Sequence, residues 1–486
     1  MNTSAVVTEI PTIGHVINGS MTEAKKYREV IDPGKNSEVV ARVAVGTPED
    51  VDQAVKAAHE AFASWRQLAP SERANLVLKA ADVVGASADE LAPLLVREHG
   101  GMLWEAQTDF GLGAGVLQHT ASLAEDFFEP TSFDDESSTI KIEKQPRGVV
   151  AAIVPWNMPV VLTMMKLAPA LVTGNTVVLK PSPFAAAALT SLLQRIAEVL
   201  PKGVLNVVHG DGDVGGALTS HPLVRKVGFT GGLATAQKVA ASTANSVKNI
   251  TLELGGNDPA IVLDDADIAK VLDRMLLGIY TRSGQICFAV KRVYVPAKMH
   301  DEFAQALIAR VDKYVVGHGL DASANFGPLA TAEQYKKVTE LIAQTRASGA
   351  DVLELGTKAE GTNWEDGYYV LPHVVRNAAH EDAISTCEQF GPIIPLIPYE
   401  DLEQAITWAN DSEFGLGSSV WTSDPTKGFE VASKIEAGST FINTHAFESL
   451  DLRMPFGGIK QSGIGREFGT AGMNEYVEEH AIRLLK

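Results

Sequence analysis

The stretch Gly148-Val149-Val150-Ala151-Ala152-Ile153-Val154 begins the alternation of short apolar runs and longer amphipathic runs that decides the fold. It predicts a buried strand over 148–154, followed by a helix over 159–173. Short Val/Ile-rich strands separated by helices are typical of a parallel sheet covered by helices on both faces. The sequence therefore predicts the α/β class.

The same alternation extends along most of the chain. Further strands are expected at 175–180, 204–209, 226–230, 260–263 and 291–295, and further helices at 183–199, 266–281 and 298–315. Thr47 and Pro48 have the residue types that begin a helix, and another helix is predicted to begin near Ser71. The segments 139–144 and 481–486 are predicted as strands without an obvious sheet of their own, which indicates pairing between subunits.

Size and composition limit the classes of protein to consider. With 486 residues, two or three domains are expected. The chain has 41 basic and 60 acidic residues, a net charge of −19, which argues against binding to nucleic acid or anionic lipid. The apolar stretch 149–172 is interrupted by three prolines, Asn157 and Lys166, so strand, loop and helix are predicted there instead of a membrane span.

The cysteines and the N-terminus indicate a cytoplasmic protein. Cys287 and Cys387 are the two cysteines of the chain, too few for a disulfide framework and typical of a reducing compartment. The segment Met1–Val7 has no basic stretch followed by an apolar one, so no signal peptide is predicted. No metal site is predicted.

Cys287 is the first candidate for chemistry. Free cysteines usually serve as small buried hydrophobes, but Ser283-Gly284-Gln285 before this one is polar and conformationally permissive. A thiol with a pKa of about 8.5 needs a base or nearby positive dipoles to react at neutral pH. Cys387 is interpreted as inert, because Glu388 beside it disfavours a thiolate.

Two further side chains have chemistry that complements a nucleophilic thiol. Glu253 ends a β-rich run before Gly255-Gly256, where a carboxylate can point into a cleft as a base; an ion-paired surface glutamate is the alternative. Asn157 lies in a loop between prolines and offers an uncharged amide donor to an oxyanion; a turn asparagine is the alternative.

Glycines at two strand–helix junctions are candidates for binding phosphate. Gly210 to Gly215 matches G-x-G-x-x-G, the pattern of a dinucleotide-binding turn, although such a match also arises by chance. Phe229-Thr230-Gly231-Gly232 is a competing site, where free amides and a helix dipole favour an anion. Lys180 ends a strand at the same edge of the predicted sheet, to bind ribose or phosphate or to remain solvated.

These segments together resemble the aldehyde dehydrogenase superfamily over nearly the whole chain. The resemblance rests on seven ordered motifs: Pro155-Trp156-Asn157, 174–182, Phe229-Thr230-Gly231, Glu253-Leu254-Gly255-Gly256, Gly284-Gln285-Ile286-Cys287, Glu388-Gln389-Phe390-Gly391-Pro392 and 455–463. It implies a Rossmann-like cofactor domain over 1–126 and 147–253, a catalytic domain over 254–460, and an oligomerisation element over 127–146 and 461–486. A homodimer or homotetramer acting on a small-molecule aldehyde is implied as well.

The resemblance also implies a role for each candidate. Cys287 is the nucleophile, Asn157 and the backbone N–H of Cys287 hold the oxyanion, and Glu253 activates the water that releases the acid. Glu478 resembles an acid close to that base. The cofactor would be held by Ile153, Val154, Pro155, Trp156, Lys180, Ser182, Pro183, Gly212, Gly215, Phe229, Thr230, Gly231, Gly232, Leu254, Gly255, Glu388 and Phe390. The pyrophosphate is expected near Gly231 and the adenine towards Gly212, which reverses the first interpretation of the G-x-G-x-x-G segment.

Three departures from the family pattern leave points open. Pro183 replaces a glutamate that selects NAD, so the cofactor is NAD or NADP. Gly232 replaces a serine. Arg282 replaces an asparagine, and its charge either favours the thiolate or faces solvent.

The substrate and the final acceptor are the remaining expectations. The aldehyde tunnel is assigned to Met158, Leu162, Met165, Ile286, Phe288 and Phe447, which are apolar and favour aliphatic or aromatic aldehydes. Transfer of the acyl group to coenzyme A is a rival to hydrolysis, although a base at Glu253 favours water. A catalytically silent binding protein of the same fold is the rival from another class.

Overall fold

The computed structural model describes residues 10–486, so the N-terminal segment Met1–Val7 lies outside the described part. The chain divides into two compact units. The first comprises residues up to Gly100 together with Ala106–Val227 and Glu479–Lys486. The second comprises Gly101–Glu105 and Gly228–Glu478.

The first unit holds the N-terminal elements. Its strands are β1 (Thr12–Ile13), β2 (His15–Ile17), β3 (Ser20–Thr22), β4 (Tyr27–Asp32), β5 (Lys35–Ala44), β6 (Thr131–Asp134), β7 (Ser138–Pro146), β8 (Val149–Ile153), β9 (Thr176–Lys180), β10 (Leu205–Val207) and the beginning of β11 (Val224–Thr230). Its helices are α1 (Pro48–Trp65), α2 (Pro70–His99), most of α3 (Leu103–Ser122), α4 (Ala124–Phe127), α5 (Pro159–Val172), α6 (Ala187–Val199) and α7 (Gly212–Ser220). Thr47 caps α1 as predicted, in a reciprocal capping box with Asp50.

The main sheet of the first unit has the strand order β11-β8-β9-β10-β2-β3. Strands β8, β9 and β10 are parallel, and β2 adds to β10 in the antiparallel direction. All residues of β9 and the first four of β8 are buried, as expected for strands covered on both faces. The parallel α/β prediction is therefore confirmed here.

The second unit contains the remaining elements. Its strands are β12 (Asn249–Glu253), β13 (Asp258–Val262), β14 (Val290–Pro296), β15 (Val315–Val316), β16 (Asp351–Glu354), β17 (Thr357–Lys358), β18 (His373–Arg376), β19 (Ile393–Tyr399), β20 (Phe414–Gly415), β21 (Gly417–Trp421), β22 (Ser439–Ile442), β23 (Ile459–Lys460), β24 (Gly463–Ile464) and the beginning of β25 (Val477–Leu485). Its helices are α8 (Leu233–Thr243), α9 (Ile268–Tyr280), α10 (Ala297–Val311), α11 (Ala332–Ala347), α12 (Ala383–Thr386), α13 (Leu402–Asn410), α14 (Pro425–Ala432) and α15 (Gly469–Asn474).

The main sheet of the second unit has the order β16-β18-β19-β14-β13-β21-β22 and is parallel except at β16. Side chains of β14 alternate between two hydrophobic clusters: Val293 and Val295 lie in one, and Tyr294 in the other. This alternation is what a central strand with helices on both faces requires. Strand β14, which follows Cys287 in the chain, is therefore packed on both faces.

Two sequence predictions are wrong in detail. Helix α6 begins at Ala187, not at residue 183, because the intervening residues continue the loop that follows Lys180. The strands predicted at 139–144 and 481–486 do have a sheet of their own, since β25, β7 and β6 pair within the chain in that order. Across residues 10–486, the helices are all too short or too polar to cross a membrane.

Candidate active site

Cys287 lies in the second unit, between a 3₁₀ turn at Thr281–Gly284 and strand β14. Arg282 and Ser283 both have a φ of 57°, in the left-handed region that few residues other than glycine adopt. Gly284 has a φ of 75°, and a Cβ there would lie 2.5 Å from the carbonyl oxygen of Gly391. The turn before the thiol is thus held in a conformation that the surrounding structure must impose.

Arg282 is part of what imposes it. Its side chain is only 1% exposed and pairs with Glu105 at 3.7 Å, while its backbone N–H donates to the same carboxylate at 2.6 Å. A Cβ on Gly101 would lie 1.7 Å from Nη1 of Arg282, so the guanidinium fills space that glycine leaves. The solvent-facing interpretation of Arg282 is therefore wrong, and its charge is balanced by a buried carboxylate.

Glu253 ends β12 and is 3% exposed, so the alternative of a surface glutamate is wrong. Its backbone is fixed on both sides: its carbonyl accepts from the N–H of Gly231 at 3.0 Å, and it pairs with Gly463 of β24. A Cβ on Gly457 would lie 2.7 Å from its Oε1. A glycine at that position therefore leaves room for the carboxylate.

The charges around the thiol identify which groups the fold brings together. Burial raises the pKa of Cys287 to about 12, the ammonium of Lys291 opposes that rise, and the carboxylates of Glu253, Asp258 and Glu388 add to it. Glu253 and Glu388 belong to motifs that the sequence singles out, and Asp258 closely follows the Glu253 motif. Lys291 and Asp258 are the residues that sequence reasoning missed; a lysine within the apolar run of β14 was the available signal.

Glu388 is held close to the glycines that follow Glu253. Its Oε1 accepts from the backbone N–H of Gly256 at 3.2 Å, and a Cβ on Gly255 would lie 2.6 Å from its Oε2. Burial raises the pKa of Glu388, and Lys291 and Lys337 oppose that rise. The Glu253 and Glu388 motifs therefore lie in contact within the second unit.

Aromatic side chains border the thiol on its C-terminal side. The ring of Phe288 meets those of Phe447 and Phe456 edge to face, with centroids 5.4 and 5.7 Å away. Phe288 and Ile286 are buried on either side of Cys287. Of the three tunnel residues predicted in this unit, Ile286 and Phe288 adjoin Cys287 in the chain, and Phe447 packs against Phe288.

Two carboxylates near the C-terminus are candidates for the acid near Glu253: Glu478, which the family resemblance indicates, and Glu467. Glu478 is exposed on β25, whereas Glu467 is 2% exposed and its backbone pairs with Phe456, the residue before Gly457. Since Gly457 contacts Glu253, the buried carboxylate on that segment belongs to Glu467. No pattern in the sequence distinguishes Glu467 from Glu478 as the acid near Glu253.

The first unit contains Asn157 and the other tunnel residues. Asn157 is 4% exposed in the loop before α5, and Met158, Leu162 and Met165 are buried in or next to that helix. Asp109 fixes the beginning of α5, because its carboxylate accepts from the N–H groups of Val160 and Val161 at 3.0 and 2.7 Å.

Lys180 marks the predicted adenosine side of the cofactor in this unit. Its stem runs past Gly215, with Cδ 3.8 Å from the position of a Cβ there, and burial lowers its pKa to about 8. Arg28 donates to Asp211 at 2.7 Å in the same corner. A small pocket beside it is lined in part by Pro181, Pro183 and Gly210. Position 183 has no carboxylate, as the sequence indicated; Ser182 lies on the loop after Lys180, and Gly212 is the first residue of α7.

The Phe229–Gly232 turn lies in the second unit and leads into α8, whose N-cap is Gly232. A Cβ on Gly231 would lie 2.7 Å from the ring of Phe229, whereas a Cβ on Gly232 would meet open space. The amides at the start of α8 suit an anion, and a serine at Gly232 would fit without clash.

Cys387 packs against a hydrophobic cluster of the second unit, and burial raises its pKa. That Cys387 is inert stays a prediction. Within residues 10–486, no three His, Cys, Asp or Glu side chains are placed to hold a metal ion.

Comparison with known proteins identifies the family. The model of the aldehyde dehydrogenase family matches residues 20–482. Betaine aldehyde dehydrogenase from Staphylococcus aureus, solved in complex with NAD+, is 36% identical, with 97% of this chain and 94% of that chain covered and a TM-score of 0.92. A point mutant of that enzyme, 35% identical over 97% of both chains with a TM-score of 0.92, was solved with NAD+ and a BME-modified cysteine. An NADP-dependent enzyme from E. coli is 33% identical over 98% of both chains, with a TM-score of 0.93.

The chain therefore belongs to the aldehyde dehydrogenase family. It is an NAD(P)-dependent aldehyde dehydrogenase, and the predicted class of enzyme is confirmed. The cofactor is NAD or NADP, as the sequence indicated, and both are represented among the similar structures.

Proposed function

We propose that the protein oxidises an aldehyde to the free carboxylic acid through a covalent intermediate on Cys287. The observation that carries this proposal is a half-buried thiol close to the buried carboxylate of Glu253, which raises the pKa of the thiol, while the ammonium of Lys291 hydrogen-bonds to the carbonyl of Cys287. A nucleophile and a base in one apolar environment are what acyl chemistry of this kind needs.

In the first step the thiolate of Cys287 adds to the carbonyl carbon, forming a C–S bond and an oxyanion. The backbone N–H of Cys287 and, by the family resemblance, the amide of Asn157 donate to that oxyanion. Donors of this type contribute about 10²–10³ in rate. When bound, a nicotinamide cofactor would supply the two-electron oxidation as a hydride acceptor, and the acyl group would remain on Cys287 as a thioester.

The residues that would hold the cofactor suit that role. Glu388 and Phe390 offer a ribose acceptor and an aromatic face, and Gly255 leaves the space that the Glu388 carboxylate occupies. Lys180, with its pKa lowered by burial, offers a donor to ribose or phosphate. The cofactor is NAD or NADP, and Pro183 provides no carboxylate to repel a 2′-phosphate.

Glu253 then takes a proton from water, whose oxygen attacks the thioester carbon, and Cys287 leaves as a thiolate. A buried base beside the thioester favours hydrolysis over transfer to coenzyme A. The apolar side chains of Ile286, Phe288 and Phe447 favour an aldehyde with an aliphatic or aromatic substituent. We further propose a cytoplasmic homodimer or homotetramer that associates through 127–146 and 461–486.

The test uses three variants with an apolar aldehyde, NAD and NADP assayed in parallel, and no coenzyme A. Cys287→Ser is expected to abolish acid formation. Glu253→Gln is expected to retain a first burst of reduced cofactor and to lose steady turnover. Cys387→Ser is the matched control and is expected to match the wild type. Turnover by Cys287→Ser would refute the covalent mechanism, and a requirement for coenzyme A would refute hydrolysis.

A further inference from the structure

Lys291 is the buried cation beneath the nucleophile, and none of the recognised motifs contains it. It lies on β14, is 2% exposed, and its Nζ donates to the carbonyls of Ile286, Cys287 and Ala289 at 2.7, 3.2 and 3.3 Å. All three donor capacities of the ammonium are thus directed at the loop that carries the thiol. A side chain that merely filled space would have no such convergence.

These hydrogen bonds orient the peptide groups on both sides of Cys287. In a trans peptide the C=O and the following N–H point in opposite directions, and the described residues contain no cis bond. Because the carbonyls of Ile286 and Cys287 face the ammonium, the N–H groups of Cys287 and Phe288 face away from it. A cation on the carbonyl side also polarises each peptide and strengthens its N–H as a donor.

The charged groups around this cation are all from the second unit. Burial lowers the pKa of Lys291, Glu388 and Asp258 oppose that fall, and Lys337 adds to it. Asp258 is 1% exposed, and Nε2 of His445 lies 3.4 Å from its Oδ2. Glu253, Asp258 and Glu388 all disfavour a thiolate at Cys287, and Lys291 is the group that favours it.

Lys291 also contacts the segment that carries Glu388. The side-chain amide of Gln389 donates to the carbonyl of Lys291 at 3.1 Å, and the ammonium lies 5.9 Å from the centroid of the Phe390 ring. A displacement of Lys291 would therefore change the nucleophile loop and the Glu388–Phe390 segment together.

From this geometry we infer that Lys291 is a positioning residue of the reaction: it turns the N–H of Cys287 towards the oxyanion and stabilises the thiolate. The inference rests on the proposed covalent role of Cys287. The conformation of the loop around Cys287 is thus attributed to Lys291, a side chain outside the recognised motifs.

The experiment measures the reactivity of Cys287 apart from turnover. Iodoacetamide labelling of the full-length protein is followed from pH 6 to 10 by mass spectrometry of the Cys287 peptide. Lys291→Met removes the charge and the donors, Lys291→Gln keeps a donor without charge, and Lys291→Arg keeps the charge. Lys336→Met, which removes an exposed cation of the same unit that pairs with Glu340, is the matched control.

We expect Lys291→Met and Lys291→Gln to shift the labelling profile to higher pH, with a rate at neutral pH lower by about tenfold or more. Lys291→Arg should stay closer to the wild type. For aldehyde oxidation, kcat of Lys291→Met should fall by about 10²–10³ with little change in KM, because an oxyanion donor acts mainly in the transition state. Lys336→Met should change neither quantity.

Two results would overturn the inference. One is a Lys291→Gln variant with native circular dichroism whose labelling profile coincides with that of the wild type. The other is an equal loss of kcat in Lys291→Arg and Lys291→Met with unchanged labelling, which indicates packing alone. Turnover by Cys287→Ser would instead refute the proposed function, so the two failures are distinguishable.

Discussion

Replacement of Arg282 by methionine tests whether the turn before the nucleophile depends on a buried ion pair. The change removes the guanidinium and leaves Glu105, 5% exposed, without its cation. Removing one partner of a buried pair typically costs 3–5 kcal/mol. Glu105 keeps hydrogen bonds from the N–H groups of Arg282 and Met102, at 2.6 and 2.8 Å, so we expect the low end, about 3 kcal/mol.

The size of the second unit converts this loss into a thermal shift. A unit of about 250 residues has an unfolding entropy of roughly 0.5 kcal/mol/K, so the expected fall in Tm is about 6 °C. Thermal and urea unfolding of the purified protein measure it. Arg453→Met is the matched control in the same unit, because Arg453 is exposed and pairs only at the surface with Asp451, so its Tm should match the wild type.

The pH dependence supplies a second check with a definite sign. Burial raises the pKa of Glu105, and Arg282 opposes that rise, so the variant should have a still higher pKa. A carboxyl whose folded-state pKa is raised gives stability that is present at low pH and is lost as pH rises through that pKa. The deficit of Arg282→Met should therefore be smaller at pH 5 than at pH 8.

A double-mutant cycle with Glu105→Gln completes the test. We expect the double variant to be at least about 1 kcal/mol more stable than the sum of the single losses predicts. Labelling of Cys287 at neutral pH should be unchanged in the folded variant, because Arg282 is not among the charges that act on the thiol. A loss of stability that is independent of pH, with additive single effects, would refute the ion-pair reasoning.

Two further predictions concern the cofactor segment and the first unit. Gly255→Ala brings a Cβ to within 2.6 Å of the Glu388 carboxylate, so KM for the cofactor should rise roughly tenfold or more. Gly216→Ala is the control, because open space surrounds its Cβ, and it should leave KM unchanged. Equal KM values for the two variants would show that Glu388 moves aside freely. Burial raises the pKa of Glu98 to about 7, so the wild type should lose up to about 3 kcal/mol of stability as pH rises from 4.5 to 8. Glu98→Gln should remove that dependence of stability on pH, measured by urea unfolding. An unchanged dependence in the variant would contradict the role of Glu98.

Much of the fold could be predicted because local patterns determine it. The apolar run at 148–154 becomes β8, the capping residues at Thr47 begin α1, and the alternation continues into β13 and β14. Periodicity reports burial on one or both faces, which is a property of adjacent residues. It could not reveal that β7 and β25 pair, because strand pairing joins residues far apart in the chain.

The candidate site divides in the same way. The sequence by itself predicted that Cys287 and Glu253 carry the chemistry, because their motifs resemble those of the family, and it left the cofactor as NAD or NADP at Pro183. Only the tertiary structure decided that Arg282 is buried against Glu105, that Glu467 is buried whereas Glu478 is exposed, and that Lys291 hydrogen-bonds to the nucleophile loop. Burial and charge pairing depend on neighbours brought together across the chain, and no local pattern encodes them.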